Sequence, residues 1–397
     1  LPRPVHRGRV LSPPTTVPSH PLLASRAAGT YPQFRPVTQS TLLSACLLLP
    51  VLLVQDSTRV MPDSTQPSRA MALPVLGYSE VTGIQFGATV FRAFRHAGGS
   101  PRRASSDAVY FARTARGHTK AYALVERWSS GDARRVRARI EHLSYPLPYF
   151  GIGAATPENA QEWYSSAVST LHLLGRIQVQ PGLYLHGGYR LIHSRLRTIE
   201  ADGELFARSI PGTDGGVVSE IRIGITRDTR DHSVAARRGT WARLLTAVSS
   251  TRLGSDFAFR RLTLDARQYV DLARDYSGAA QVQLDVVAGT VPFDQLPMVG
   301  ADSAMRGYHR GRFRDRNAAT AQVELRTPMW RRTGLVLFAG AGAVAHTLED
   351  LGRVPWYPSV GAGLRFVLRR EDRSTARLDL GIGRGTLGVN VGLGEAF

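Results

Sequence analysis

Hydrophobic and polar residues alternate along most of this chain, and the alternation is strictest at its end. In the last eleven residues one face of the pattern holds glycine and asparagine, and the other holds Leu387, Val389, Val391 and Leu393. A period of two predicts a β-strand whose two faces meet different surroundings. Such a strand suits a wall between lipid and water, because its backbone groups all pair with neighbouring strands. A half-buried last strand of a soluble sheet has the same pattern.

Sixteen alternating segments follow residue 70, separated by turn residues, and helical periodicity is nearly absent. Their length of about 8 to 14 residues is what a tilted membrane strand requires. One face often carries arginine, glutamate and glutamine, which we expect to line a wet lumen. The pattern therefore predicts an all-β fold, a transmembrane antiparallel up-and-down β-barrel of 16 strands. The predicted strands are 71–78, 83–95, 107–115, 118–128, 134–143, 163–177, 182–193, 217–227, 239–250, 257–270, 276–290, 317–327, 334–345, 357–369, 375–383 and 386–397.

The connections and the aromatic residues predict how the barrel sits in a membrane. An even number of strands brings both ends of the domain to the same side. We expect short turns on the periplasmic side, and the longer links 144–162, 194–216 and 291–316 outside. The short turns are 129–132, 180–182, 272–275 and 384–385. Aromatic girdles at the two interfaces are expected from Tyr145, Tyr149, Phe150, Trp163, Tyr164, Trp241, Trp330, Trp356 and Tyr357.

Composition narrows the possible partners. No apolar run reaches the roughly 18 to 20 residues that a membrane helix needs, and 39 glycines lie largely within alternating segments. The net charge of +19 comes almost wholly from arginine, because Lys120 is the only lysine. These arginines are spread over strands and hairpins, without a basic helix or an aromatic-studded basic platform, so nucleic acid is not favoured. Anionic lipid headgroups of the outer membrane are the expected partners.

The N-terminal region differs from the rest. Residues 42–54 form an apolar run of the length found in an export signal, and arginines precede it. We therefore expect residues 1–54 to be a leader with a signal peptide, 55–70 to be a polar linker, and 71–397 to be the barrel domain. The linker leaves no room for a folded periplasmic module before the barrel, which points to a separate periplasmic partner.

One long loop carries a family signature. Residues 297–308 read PMVGADSAMRGY, residues 310–315 read RGRFRD, and the next strand contains Glu324-Leu325-Arg326. This segment resembles the bacterial surface antigen family, the BamA/TamA-type superfamily of outer-membrane assembly and translocation barrels. That family is marked by a glycine-rich approach, an apolar-Arg-Gly-aromatic core and a following Glu-x-Arg strand. The resemblance extends over residues 72–397 through the segments 149–153, 227–231 and 394–397.

The resemblance implies that the loop folds back into the lumen and that its arginine docks on the inner wall. The core matches Met305, Arg306, Gly307 and Tyr308, and Phe397 matches the closing-strand signal. The family's usual acidic partner is absent, because glycine stands at its place in the segment 338–342. Glu324 and Asp379, both on predicted lumen faces, are the candidate docking acids. A flexible exterior loop with an unpaired Arg306 is the alternative.

The resemblance also implies a function without bond chemistry or cofactor: assistance in protein insertion, translocation or lipid transport at the bacterial outer membrane. The expected partners are outer-membrane lipid and unfolded outer-membrane proteins. A weakly paired first strand with Pro74 and Gly77 would let the barrel open between its first and last strands. A passive channel is the alternative, and a membrane-embedded lipase is the third hypothesis. The charged turn 227–231 is interpreted as self-paired, so neither metal ligands nor catalytic residues are predicted.

Overall fold

The fold is taken from a computed structural model. It describes residues 70–397 except 80–81, 95–104, 130–132, 158, 202, 208, 233–234, 301–303 and 370–372. The predicted leader and nearly all of the predicted linker therefore lie outside the described residues. In the described part, no helix is both long and apolar enough to cross a membrane.

Sixteen strands form one antiparallel sheet in which each strand pairs with its neighbours in chain order. The count and the up-and-down order confirm the predicted fold. The strands are β1 (Ala70–Ser79), β2 (Gly83–Phe94), β3 (Ser105–Thr114), β4 (Thr119–Trp128), β5 (Arg134–Tyr149), β6 (Glu162–Gln180), β7 (Leu183–Ile199), β8 (Gly216–Asp228), β9 (Gly239–Ser249), β10 (Phe259–Asp271), β11 (Ser277–Gly289), β14 (Asn317–Arg326), β15 (Thr333–Ala345), β16 (Tyr357–Arg369), β17 (Ser374–Gly383) and β18 (Thr386–Leu393).

The loop between β11 and β14 holds a small second sheet. Its two strands are β12 (Met298–Val299) and β13 (Phe313–Arg314), which pair antiparallel. Short 3₁₀ turns lie at Thr251–Leu253, Ala273–Asp275, Phe293–Gln295 and Glu349–Gly352.

The two faces of the sheet meet different surroundings. On β15, Leu335 and Leu337 are about half exposed, at 52% and 55%, whereas Val336 between them is 1% exposed. The buried face continues on β14 with Gln322, Glu324 and Arg326. Apolar side chains therefore cover the outside, and polar and charged side chains line the inside, as in a membrane barrel.

Three sequence expectations about the wall are wrong. β5 and β7 run six residues beyond their predicted ends at 143 and 193, and β18 ends at Leu393. Antiparallel order puts the turn 384–385 at the same end of the sheet as the long loops, because it follows an odd number of strands. Tyr149, Phe150, Tyr164 and Tyr357 are buried rather than set at a lipid interface.

The sheet stays open. Every neighbouring pair from β1 to β18 is hydrogen-bonded, but among the described residues no pairing joins β1 to β18. β1 contains Pro74, which lacks a backbone donor, and β18 is only 8 residues long. We call this open junction the seam.

Candidate functional site

The loop 290–316 lies on the inner side of the sheet. Its tip is held by ring stacking, since Tyr308 packs edge-on to Phe313 with ring centres 5.7 Å apart. Phe313 in turn stacks on Tyr357 of β16 at 4.0 Å. The Gly153 N–H donates to the Arg314 carbonyl at 2.8 Å, which ties the loop to the connection between β5 and β6. A free exterior loop, the alternative to docking, is not what the structure has.

The side chain of Arg306, in the middle of the loop, is fully buried. Its Nη2 lies 2.5 Å from Glu324 Oε1, and its Nη1 donates to Asp379 Oδ2 at 2.9 Å. Its Cζ stands 3.7 Å from the centre of the Phe338 ring. The structure thus brings Arg306 and both candidate acids together. A guanidinium suits this place, because its planar fork serves two carboxylates while its face stacks on a ring.

The next two residues anchor the backbone of the loop. Gly307 has φ +106°, a backbone conformation that residues with a side chain rarely adopt. Its carbonyl accepts a hydrogen bond from Thr386 Oγ1 at 2.6 Å. The Tyr308 hydroxyl donates to the Pro358 carbonyl and accepts from the Arg384 N–H, both at 2.8 Å. Met305 is 1% exposed and packs in the cluster around Val299 and Val344. The motif is therefore seated on β15 to β18.

Glycines on the inner face of the wall make room for this seat. A Cβ built on Gly381 would lie 2.7 Å from the Arg306 carbonyl carbon, and one on Gly388 would lie 3.0 Å from the Gly307 Cα. A Cβ on Gly383 would meet the Tyr308 ring at 2.5 Å. A side chain at Gly381 or Gly383 would displace the loop, because real Cβ atoms do not come so close, and one at Gly388 would press tightly against the loop backbone. We call Gly381, Gly383 and Gly388 the glycine track.

The docking acids also bind a second layer of arginines. Glu324 accepts from Arg326 at 2.8 Å, and Asp379 Oδ1 lies 2.5 Å from Arg365 Nη1. Arg365 Nε then donates to Glu395 Oε2 at 2.7 Å. We call these six residues, three arginines and three carboxylates, the docking network. Arg377 adds a fourth arginine at its edge, 3.5 Å from Asp379.

The network reaches the C-terminal residue. Arg326 Nη2 donates to the Phe397 carbonyl at 3.1 Å, and the Phe397 side chain packs with Tyr269 and Ala279 on the inner face. Phe397, predicted to end the last strand, instead lies beyond it in the lumen. The docking network includes Arg326, Arg365 and Glu395, for which the sequence motif predicts no docking role. The signal available was the alternation that places Arg326 and Arg365 on predicted inner faces.

The aspartates of the charged turn after β8 accept hydrogen bonds from arginine side chains and from backbone N–H groups. Arg230 Nε donates to Asp228 Oδ1 at 2.9 Å, and Asp231 Oδ2 accepts from Arg373 Nη1 at 2.9 Å. Asp231 also accepts the backbone N–H groups of Arg237 and Arg238. In the part of the chain that the structure describes, no group of three or more His, Cys, Asp or Glu could hold a metal ion.

A lipase would need a serine and a histidine that a third group orients. His142 Nδ1 lies 2.9 Å from Ser169 Oγ, between β5 and β6. Among the described residues no carboxylate or amide is hydrogen-bonded to this imidazole, so the pair lacks the orienting group. Nothing in the fold favours the lipase or the passive channel.

Comparison with known proteins also supports an outer-membrane barrel of this family. Residues 180–383, about half of the chain, match the Omp85 superfamily domain. No curated protein matches the sequence. Among solved structures, BamA from Haemophilus ducreyi lacking POTRA domains 1–3 has a similar fold, with a TM-score of 0.58 and 14% identity over 83% of this chain and 70% of that one. CdiB from Acinetobacter baumannii aligns with a TM-score of 0.49 and 11% identity over 80% of this chain and 56% of that one.

The inner loop with its Arg-Gly-aromatic core, the 16-stranded sheet and the domain match agree with one another. The resemblance found in the sequence is thereby confirmed. This chain belongs to the Omp85 superfamily and is a β-barrel protein of the bacterial outer membrane.

Proposed function

We propose that this protein inserts or translocates polypeptide chains at the outer membrane by opening at the seam. The observation that carries the proposal is the unpaired edge that β1 and β18 each leave in an otherwise fully paired sheet of the described residues. Free N–H and C=O groups at such an edge can pair with the strand of an incoming chain. Membership of the Omp85 superfamily supports this function. It requires no bond chemistry, so we propose that the protein is not an enzyme.

The docked loop has a supporting role in this proposal. Arg306 contacts β14 and β17, and Gly307 and Tyr308 contact β16 to β18, so the loop braces the strands next to the seam from inside. A braced last strand keeps its edge in one place while β1 moves. We propose that Arg306, with Glu324 and Asp379, holds the loop for this purpose. An unfolded outer-membrane protein is the proposed substrate, delivered by a separate periplasmic partner.

A crosslink across the seam tests the function. Leu76 of β1 and Leu387 of β18 both face outward and are about half exposed. Replacing both with cysteine in a Cys46→Ser background, and joining them with the shortest member of a bis-maleimide series that spans the gap, would lock the seam. The locked protein, reconstituted in lipid vesicles, should lose assisted insertion of an unfolded barrel substrate.

The control lock joins strands that are already paired. Ile223 of β8 and Thr246 of β9 stand opposite each other, so the same crosslinker there leaves the seam free. This variant should keep full activity. Equal activity of both locked proteins would overturn the proposed route through the seam.

A further inference from the structure

Nine arginines line the inner face of six consecutive strands, β5 to β10. Strand alternation puts them all on the side that carries the buried Glu220 and Asp265. We call them the arginine belt. They are Arg135, Arg137, Arg139, Arg176, Arg190, Arg222, Arg243, Arg261 and Arg267.

Carboxylates on the same wall are too few to neutralise the belt. Five are in reach, and they are Glu126, Glu141, Glu220, Asp265 and Asp285. Glu220 serves two arginines, with its Oε1 2.7 Å from Arg190 Nε and 3.3 Å from Arg222 Nε. Glu126 is likewise shared by two arginines. Arg243 forms no ion pair among the described residues. Among the described residues, the nine belt arginines thus exceed these five carboxylates by four.

Several of these guanidinium groups form cation–π contacts with aromatic rings. Arg135 and Arg176 both stand over the Trp128 ring, at 5.2 and 4.9 Å from its centre. Arg243 and Arg267 flank Trp241 in the same way, at 5.2 and 4.5 Å. A cation–π contact uses the face of a guanidinium and leaves its in-plane N–H donors for an anionic oxygen. The belt is thus oriented for anions as well as charged for them.

A cavity of about 370 Å³ lies between the belt and the loop. Arg190, Arg261 and His172 line it from the wall, and Arg310 and Asp294 line it from the loop. Burial raises the pKa of the Asp294 carboxyl, which favours its neutral form and reduces the negative charge that it contributes. A cavity of this size admits the polar head of a ligand with several anionic oxygens.

We propose that the arginine belt binds the phosphate groups of an anionic ligand inside the barrel. Arginine forks pair well with phosphate oxygens, and rings of arginine select anions and phosphates in membrane pores. The ligand brings the negative charge that the wall lacks. Two sources share this chemistry, a phosphorylated lipid headgroup and free inorganic phosphate.

The test removes the excess charge without leaving a carboxylate alone. In the triple variant R137Q/R222Q/R243Q, Glu126 keeps Arg135 and Glu220 keeps Arg190, so each acid retains a partner. The control is R353Q plus R331Q and R252Q, which removes the same charge from exposed connections outside the belt. Folding of each protein is checked by its heat-sensitive mobility on gels. Binding is followed by tryptophan fluorescence, because Trp128 and Trp241 lie within the belt.

Two probes are titrated at constant ionic strength. The first is inorganic pyrophosphate. The second is phosphatidic acid in micelles of a neutral detergent, with an uncharged lipid of the same acyl chains as its control. The intact protein should bind at least one of them, and the triple variant should bind about tenfold or more weakly. The control should bind as the intact protein does. Binding of phosphatidic acid alone would identify a lipid headgroup, and binding of both would identify phosphate in general. No saturable binding, or equal binding by the triple variant, would overturn the proposal whatever the seam experiment shows.

Discussion

The two sides of the barrel wall differ in how the charges of their arginines are balanced by carboxylates. Around the docked loop, on β14 to β18, four arginines meet three carboxylates, and the docking network itself is balanced. The nine arginines of β5 to β10 meet five carboxylates, of which Glu126 lies on β4 and Asp285 on β11. The first side uses arginine to fix one part of the chain on another. On the second side the arginines outnumber the carboxylates that pair with them.

The difference lies also in what surrounds the charges. Inner glycines on β17 and β18 bring the loop backbone against the wall, so the docking network is closed from the lumen. The belt is spread over six strands, with aromatic plates and a cavity beside it. Losing one member of a closed, balanced network leaves a buried charge, whereas losing one arginine from the belt relieves repulsion. Substitutions on the two sides should therefore have opposite effects.

Arg306→Met should have the largest effect. It removes the buried cation that Glu324 and Asp379 share, and breaking a buried ion pair costs about 3–5 kcal/mol. The free energy of unfolding, measured by urea titration in lipid vesicles, should fall by about 3 kcal/mol, since Arg326 and Arg365 still serve the two acids. Arg353→Met, at an exposed position, should change it by less than about 0.5 kcal/mol.

The pairing itself is tested by combining Arg306→Met with Glu324→Gln. Because the two side chains are in contact, the losses should not add, and the coupling should be about 1–3 kcal/mol. Additive losses would mean that the two groups do not stabilise each other. The contact between Arg306 and Glu324 would then contribute nothing to the free energy of unfolding.

Gly381→Ala should have the next largest effect. Its Cβ would stand 2.7 Å from the Arg306 carbonyl carbon, and overpacking of this kind costs about 1–3 kcal/mol. The loop should leave its seat, which limited proteolysis near Arg310 would detect. Gly187→Ala is the matched control, because a Cβ on this β7 glycine meets nothing within 4 Å. Equal protease resistance in both variants would show that the glycine track does not hold the loop.

Glu395→Gln should weaken the barrel by a smaller amount. It keeps the shape of the side chain but removes the charge that Arg365 Nε binds at 2.7 Å, and such charged hydrogen bonds contribute about 1.5–3 kcal/mol. Arg365 retains Asp379, so the loss should lie at the low end of that range. The same urea titration measures it. An unchanged stability would mean that the C-terminal residues are not tied to the docking network.

The strands could be predicted from the sequence because each has one face in lipid and the other in the lumen. The period of two is unbroken where both surroundings persist, as over residues 320–326 of β14 and 333–339 of β15. It fails at the ends of β5 and β18. Pro146 and Pro148 hide the extension of β5, and Gly394 begins the departure of the C-terminal residues from the wall. The end of β5 depends on contact with the loop, and the residues after β18 depend on contacts with β10, β11 and β14, which no local pattern records.

The site was harder to predict than the wall. Arg306 and its two candidate acids were named from a motif and from strand faces, but only folding sets the 2.5 and 2.9 Å distances. The tyrosines at 149 and 164 were assigned to lipid interfaces, whereas they pack around Phe293 of the loop. An aromatic residue near a strand end looks the same in a sequence whether it faces lipid or lumen. The loop that covers it comes more than a hundred residues later.

Arg243→Gln should have the smallest effect on the free energy of unfolding. The direction of this effect distinguishes the arginine belt from the docking network. Arg243 forms no ion pair among the described residues, although Asp265 stands opposite it in the strand register, and it lies beside Trp241 with Arg267 on the other face of the ring. Its replacement gives up a cation–π contact worth about 0.5–1 kcal/mol and the attraction of Asp265, and it removes repulsion from Arg267. The free energy of unfolding should stay within about 0.5 kcal/mol of the original or rise. Added salt should stabilise the original protein more than the variant, because it screens the belt. A loss as large as that of Arg306→Met would mean that Arg243 holds the fold together and that the belt is no reserve of unbalanced charge.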